Sequence, residues 1–121
     1  MYKNMKSQNL IQELTYNFSL EIIKRFCRKQ DYDKASIYNQ LVKSSTSIGA
    51  NVEESIGAYS KKDFLNKITI AYKEARETRY WIRLLKDSNN LDNESAGFLL
   101  TKIDQIIRVL GTIQKTTKSN L

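Results

Sequence analysis

The sequence predicts an all-α protein, an antiparallel up-down-up-down four-helix bundle. Three observations carry that expectation. The 121 residues contain no proline and only four glycines, so nothing forces a helix to break. Apolar residues recur three or four positions apart through four long segments, and the links between those segments are short and polar. At this length one domain spanning residues 1–121 is expected, with room for a single core.

The first helix is expected over about residues 7–29. Leu10, Leu14, Phe18, Ile22 and Phe26 repeat every four residues with Ile11 beside them, making one apolar stripe. Lys24, Arg25, Arg28 and Lys29 crowd its last turns, where cations complement the helix dipole, although the same cluster would also suit contact with nucleic acid. Asp33 is the expected N-cap of the second helix.

That second helix, about 34–58, is crowded with small side chains. Ile37, Leu41, Ser45, Ile48, Val52 and Tyr59 keep an apolar-type spacing, while Ser44, Ser47, Gly49, Ala50 and Asn51 fill the positions between them. Ser, Thr, Gly and Asn are weak helix formers, so this helix must be held by neighbours, which Gly49 and Ala50 allow to approach closely. If buried, Asn51 and Glu54 must each find a partner.

The third helix, 61–87, opens at Ser60-Lys-Lys-Asp63, which has the spacing of a capping box with Asp in place of Glu. At 100° per residue, Phe64, Ile68, Ala71, Ala75, Thr78, Ile82 and Leu85 share the face expected to enter the core. Ile70, Trp81 and Leu84 form a second apolar arc, interrupted by Glu74 and Glu77. A monomeric bundle helix needs only one such arc, so this one predicts self-association, unless it packs beneath the chain's own terminal segments. Arg76, Arg79, Arg83 and Lys86 line a third arc, about 15 Å long by helix rise. Tyr72 and Tyr80 flank it. The arc reads either as a phosphate-binding stripe with stacking aromatics or as a solvated basic face paired to Glu77 and Asp87.

The fourth helix, about 92–115, has Leu99, Ile103, Ile106, Leu110 and Ile113 as its core seam, widened by Leu100 and Ile107. Residues 116–121 are polar and are expected to fray. The asparagine-rich link at 88–91 is short enough to make its flanking helices antiparallel neighbours.

Three blocks, TSIGANVEE at 46–54, SKKDF at 60–64 and KEARETRYWIRLL at 73–85, carry a resemblance to the four helix bundle proteins, also called the 23S ribosomal RNA intervening-sequence proteins. Ser47, Asn51, Glu54, Ser60 and Asp63 stand at the motif positions. Ser55 departs from the usual Ala or Gly after the acidic pair, and the tryptophan that many relatives carry in the first helix is absent. The resemblance implies the four-helix fold and a ring-like homo-oligomer, a pentamer. It also implies an association with ribosomal RNA genes, and some relatives are accessory proteins that bind nucleic acid and a reverse transcriptase.

Composition narrows the chemistry. With no histidine, the paired Glu-x-x-His motifs of di-iron bundles are absent, and the single cysteine, Cys27, lacks the usual basic partner of a nucleophile. Cys27 therefore reads as a packing or interface residue. Glu53 and Glu54 are adjacent and point apart, and Glu74 and Glu77 sit beside Lys73 and Arg76, so neither pair makes an acid-base dyad. No enzyme, metal or cofactor is expected. The opening residues lack the apolar core of a secretory signal and no apolar run approaches membrane length, which predicts a cytoplasmic protein without membrane partners. Net charge is +7, of which the first sixty residues hold +2 (eight Lys/Arg, six Asp/Glu) and the remainder +5 (twelve, seven). An anionic partner, RNA or DNA, suits that excess, as solubility alone also does. The expected function is an oligomeric nucleic-acid-binding or adaptor bundle. A protein-protein scaffold is the alternative, and an unrecognised enzyme the remote one.

Overall fold

A computed structural model describes residues 5–27 and 34–121. Four helices follow in order: α1 Met5–Phe26, α2 Ala35–Ile56, α3 Lys61–Asp87 and α4 Asn93–Ser119. Each packs on its chain neighbours, α1 closes the ring against α4, and diagonal helices do not meet. This is the expected antiparallel up-down-up-down bundle. The α2–α3 seam is the most extensive and the α1–α4 seam the thinnest. Among the described residues no helix is long and apolar enough to cross a membrane.

The core forms where the three-and-four alternation is regular. Phe18, Ile22, Ile48, Val52, Ile68, Ile82, Ile103, Ile106 and Leu110 are all buried, as are the whole predicted core face of α3 and the seam of α4. Two capping side chains fix helix starts. Ser60 Oγ accepts from the Asp63 backbone N–H at 3.0 Å, and Asp92 Oδ2 accepts from that of Ser95 at 2.8 Å. The first is the Ser half of the predicted capping box. Asp63 has one methylene fewer than Glu, and no return bond from its carboxylate occurs among the described residues.

The close seams are built from the small residues. A Cβ placed on Gly49 would stand 3.3 Å from Ser19 Oγ, so α1 and α2 meet at the distance that glycine permits. Ser44 and Thr78 form a buried hydroxyl–hydroxyl hydrogen bond of 2.8 Å between α2 and α3. Ser55, which is fully buried, donates to the Val52 carbonyl at 2.6 Å. A small hydroxyl therefore fits there, with its polarity satisfied inside its own helix.

Four expectations need correction. Leu10 does not belong to the buried stripe of α1, being 44% exposed, because strict four-residue steps drift 40° each and carry Leu10 well away from Phe26. The buried face is instead Gln8, Ile11, Thr15, Phe18, Ile22 and Phe26, with Leu14 at its edge. Tyr59 lies beyond the end of α2, in the turn, 89% exposed. Residues 116–119 do not fray, since α4 continues to Ser119 with Thr117 buried and donating to the Ile113 carbonyl at 2.7 Å. Helix α1 stops at Phe26 rather than at residue 29, with Cys27 exposed in a bend. The Asp33 cap and the cations Arg28 and Lys29 lie outside the described residues.

Candidate nucleic-acid interface

Helix α3 presents its basic arc along the seam with α4. Three contacts set the antiparallel register there. Gln114 Nε2 donates to Thr69 Oγ1 at 3.2 Å, a Cβ on Gly111 would lie 3.7 Å from Tyr72 Cε2, and Arg79 Nε donates to Asp104 Oδ1 at 2.7 Å. Each step along α3 thus matches one step back along α4, which brings Arg76 level with Ile107 and Arg108.

Arg76, Arg83 and Arg108 are exposed and Lys86 half-buried, and among the described residues none of the four has a carboxylate within ion-pair distance. Arg79 differs. It is held by Asp104 rather than by Glu77 or Asp87, in a pair about one-third exposed at the guanidinium and two-fifths at the carboxylate. Solvent screens such a pair to roughly 0–1 kcal/mol. The sequence-predicted residues Arg76, Arg79, Arg83 and Lys86 are therefore brought together, but with one of them neutralised. Arg108 was missed because periodicity within α4 marks only its core face. The antiparallel pairing of α3 and α4 is the signal that would have found it.

The two tyrosines part company. Tyr72 is half-buried in the α3–α4 seam and packs on the core. Tyr80 is 53% exposed, with its ring edge-on to Trp81 at 5.2 Å between centroids. Only Tyr80 presents a ring face to an incoming base.

On the opposite flank of α3, Ile70 is half-buried, Trp81 packs against the core and donates from Nε1 to Glu77 Oε2 at 3.1 Å, and Leu84 stays 40% exposed. The family-motif residues of α2 face this flank. Asn51 Nδ2 donates to the Ser47 carbonyl at 2.9 Å, while the exposed Glu54 meets Lys67 at 3.4 Å. Ser47, Asn51 and Glu54 thus serve the α2–α3 seam, and Ser60 with Asp63 the start of α3.

Burial pushes the Glu74 carboxyl above its ordinary range, Glu77 adding to the shift and Lys43 opposing it. An acid whose folded pKa is raised takes up a proton on folding, so its charge weakens the fold at neutral pH, and stability rises as pH falls through the raised value. Glu74→Gln is expected to raise Tm at pH 7 and to match the wild type below about pH 4. An unchanged Tm at pH 7 would mean that the carboxylate is fully hydrated.

Among the described residues no three of His, Cys, Asp and Glu come together to hold a metal ion. The model of the 23S rRNA-intervening sequence proteins matches residues 7–112. The chain belongs to that family. A 1.70 Å crystal structure of a protein with unknown function from the S23 ribosomal protein family of Bacteroides thetaiotaomicron is similar throughout. It is 32% identical with a TM-score of 0.85, over 90% of this chain and 98% of that one. Nothing among curated proteins matches. For an intervening-sequence protein the match fixes the fold and leaves the activity to be argued from its side chains.

Proposed function

We propose that this intervening-sequence protein is a non-enzymatic, self-associating bundle that holds a nucleic-acid backbone, RNA before DNA, along the α3–α4 seam. The observation that carries the reading is the row Arg76, Arg83, Lys86 and Arg108, cations gathered from two helices without carboxylate partners. Like charges concentrated on one face repel each other and raise the local potential, a cost that an anionic ligand reverses. Arginine's planar donor fork suits phosphate oxygens, and Tyr80 beside the row suits an unpaired base. Repetition of the row around a homo-oligomer would multiply contacts with one nucleic-acid strand.

Binding of a structured RNA and of duplex DNA across a salt series tests this. With three or four phosphate contacts, duplex affinity should fall about 40- to 150-fold between 50 and 200 mM salt. A flat salt response would remove the nucleic-acid reading.

A second reading, a protein-protein scaffold, is favoured by the exposed pair Tyr80 and Leu84 beside half-buried Trp81 and Ile70 on α3. It predicts that flat response, with self-association through this patch intact.

A further inference from the structure

The largest row of exposed apolar side chains is on α1, not α3. Tyr16, Leu20 and Ile23 are 63%, 38% and 41% exposed, and exposed Cys27 continues them. Their spacing of four, three and four residues puts them on one line of the helix surface, turned away from the buried face through Ile11, Phe18 and Ile22. Beside Tyr16 an open groove of about 180 Å³ runs between α1 and α2, floored by Thr15, Thr46, Gly49 and Ala50. A bundle of this size gains nothing from three large apolar groups in water.

Charge is sorted along the same surface. Exposed Glu13 on α1 and Glu53 on α2 lie toward one end of the row; exposed Lys24 on α1 and Lys43 on α2 lie toward the other. Both helices of an antiparallel pair thus place acid at one end and base at the opposite end. Such a surface is complementary to itself after a half-turn.

We infer that the outer face of α1 pairs with the α1 of a second copy in an antiparallel, two-fold contact centred on Leu20. In that arrangement Leu20 meets the second copy's Leu20, Tyr16 packs on the second copy's Ile23, and each acidic end lies over a basic end. Every contact occurs twice, as a two-fold interface requires. The 22 residues of α1 span about 33 Å. With the adjoining strip of α2, a face of that length approaches the roughly 800 Å² per partner of a stable contact. The contact is independent of the α3–α4 basic row and of the Ile70, Trp81 and Leu84 arc.

Oxidation of the Leu20→Cys, Cys27→Ser double variant tests the geometry, because disulfides form only between Cβ atoms about 4 Å apart. Covalent dimers and nothing larger are expected, at a yield above that of a Tyr80→Cys, Cys27→Ser control. Leu20→Glu should weaken association at least about 30-fold in sedimentation equilibrium, with helical content by circular dichroism unchanged. Glu13→Lys with Glu53→Lys, and separately Lys24→Glu with Lys43→Glu, should each lose self-association, and mixing the two chains should restore it. A wild-type chain that stays monomeric at high micromolar concentration overturns the proposal. So does a chain that assembles with no cross-link at Leu20→Cys, since head-to-tail contacts would set Leu20 against a different surface. Dependence of the cross-link on added RNA would equally overturn it, by making the contact part of nucleic-acid binding.

Discussion

Ile11→Ala should destabilise the protein by about 2 to 5 kcal/mol, while Leu10→Ala, one residue away, should change stability by less than about 0.5 kcal/mol. Ile11 has no solvent exposure and Leu10 keeps 44% of its surface in water. Truncating the first leaves a cavity in a core that relaxes only partly; truncating the second removes a group that was never fully out of solvent. Thermal unfolding followed by circular dichroism separates the two, with Tm falling by roughly 10 °C or more for Ile11→Ala. Equal losses at both sites would mean that α1 is rotated about its axis, with Leu10 turned inward.

That contrast marks how far the sequence could be read. On α3 and α4 the apolar positions alternate three and four apart, so a 100° wheel places the entire buried face. On α1 the run from Leu10 to Phe26 keeps steps of four, and a helix with 3.6 residues per turn cannot hold them on one side. Three buried polar residues were invisible for a different reason. Thr15 donates to the Ile11 carbonyl at 2.7 Å, Thr117 makes the equivalent bond to Ile113, and Ser44 bonds Thr78. Each occupies a core position with its hydroxyl satisfied, which apolar counting does not anticipate.

The site was legible by halves for a related reason. Spacing within α3 grouped Arg76, Arg79, Arg83 and Lys86 correctly, because one helix carries all four. Periodicity within a helix says nothing of register between helices. The Asp104 partner of Arg79, the level approach of Arg108 to Arg76 and the sequestering of Tyr72 against Gly111 all depend on that register. The apolar row Tyr16, Leu20 and Ile23 escaped notice once the stripe of α1 had been drawn through the wrong residues.

Reversing Arg76, Arg83 and Arg108 together to Glu should leave thermal stability nearly unchanged and reduce nucleic-acid affinity at least about 100-fold near 0.1 M salt. No carboxylate loses a partner in that variant, since among the described residues none pairs with these three guanidinium groups. Each lost phosphate contact should also shrink the duplex salt slope by about 0.9, so the triple variant should lose roughly three contacts' worth of salt dependence. Arg79→Glu is the informative contrast, because it sets a new carboxylate against Asp104 across the α3–α4 seam. It should lower Tm more than the triple reversal while weakening nucleic-acid binding less. Should the triple variant instead dissociate or unfold, these arginines serve carboxylates of a neighbouring subunit, and the phosphate reading loses its residues. Retained affinity in a folded variant would move any nucleic-acid surface away from the α3–α4 seam altogether.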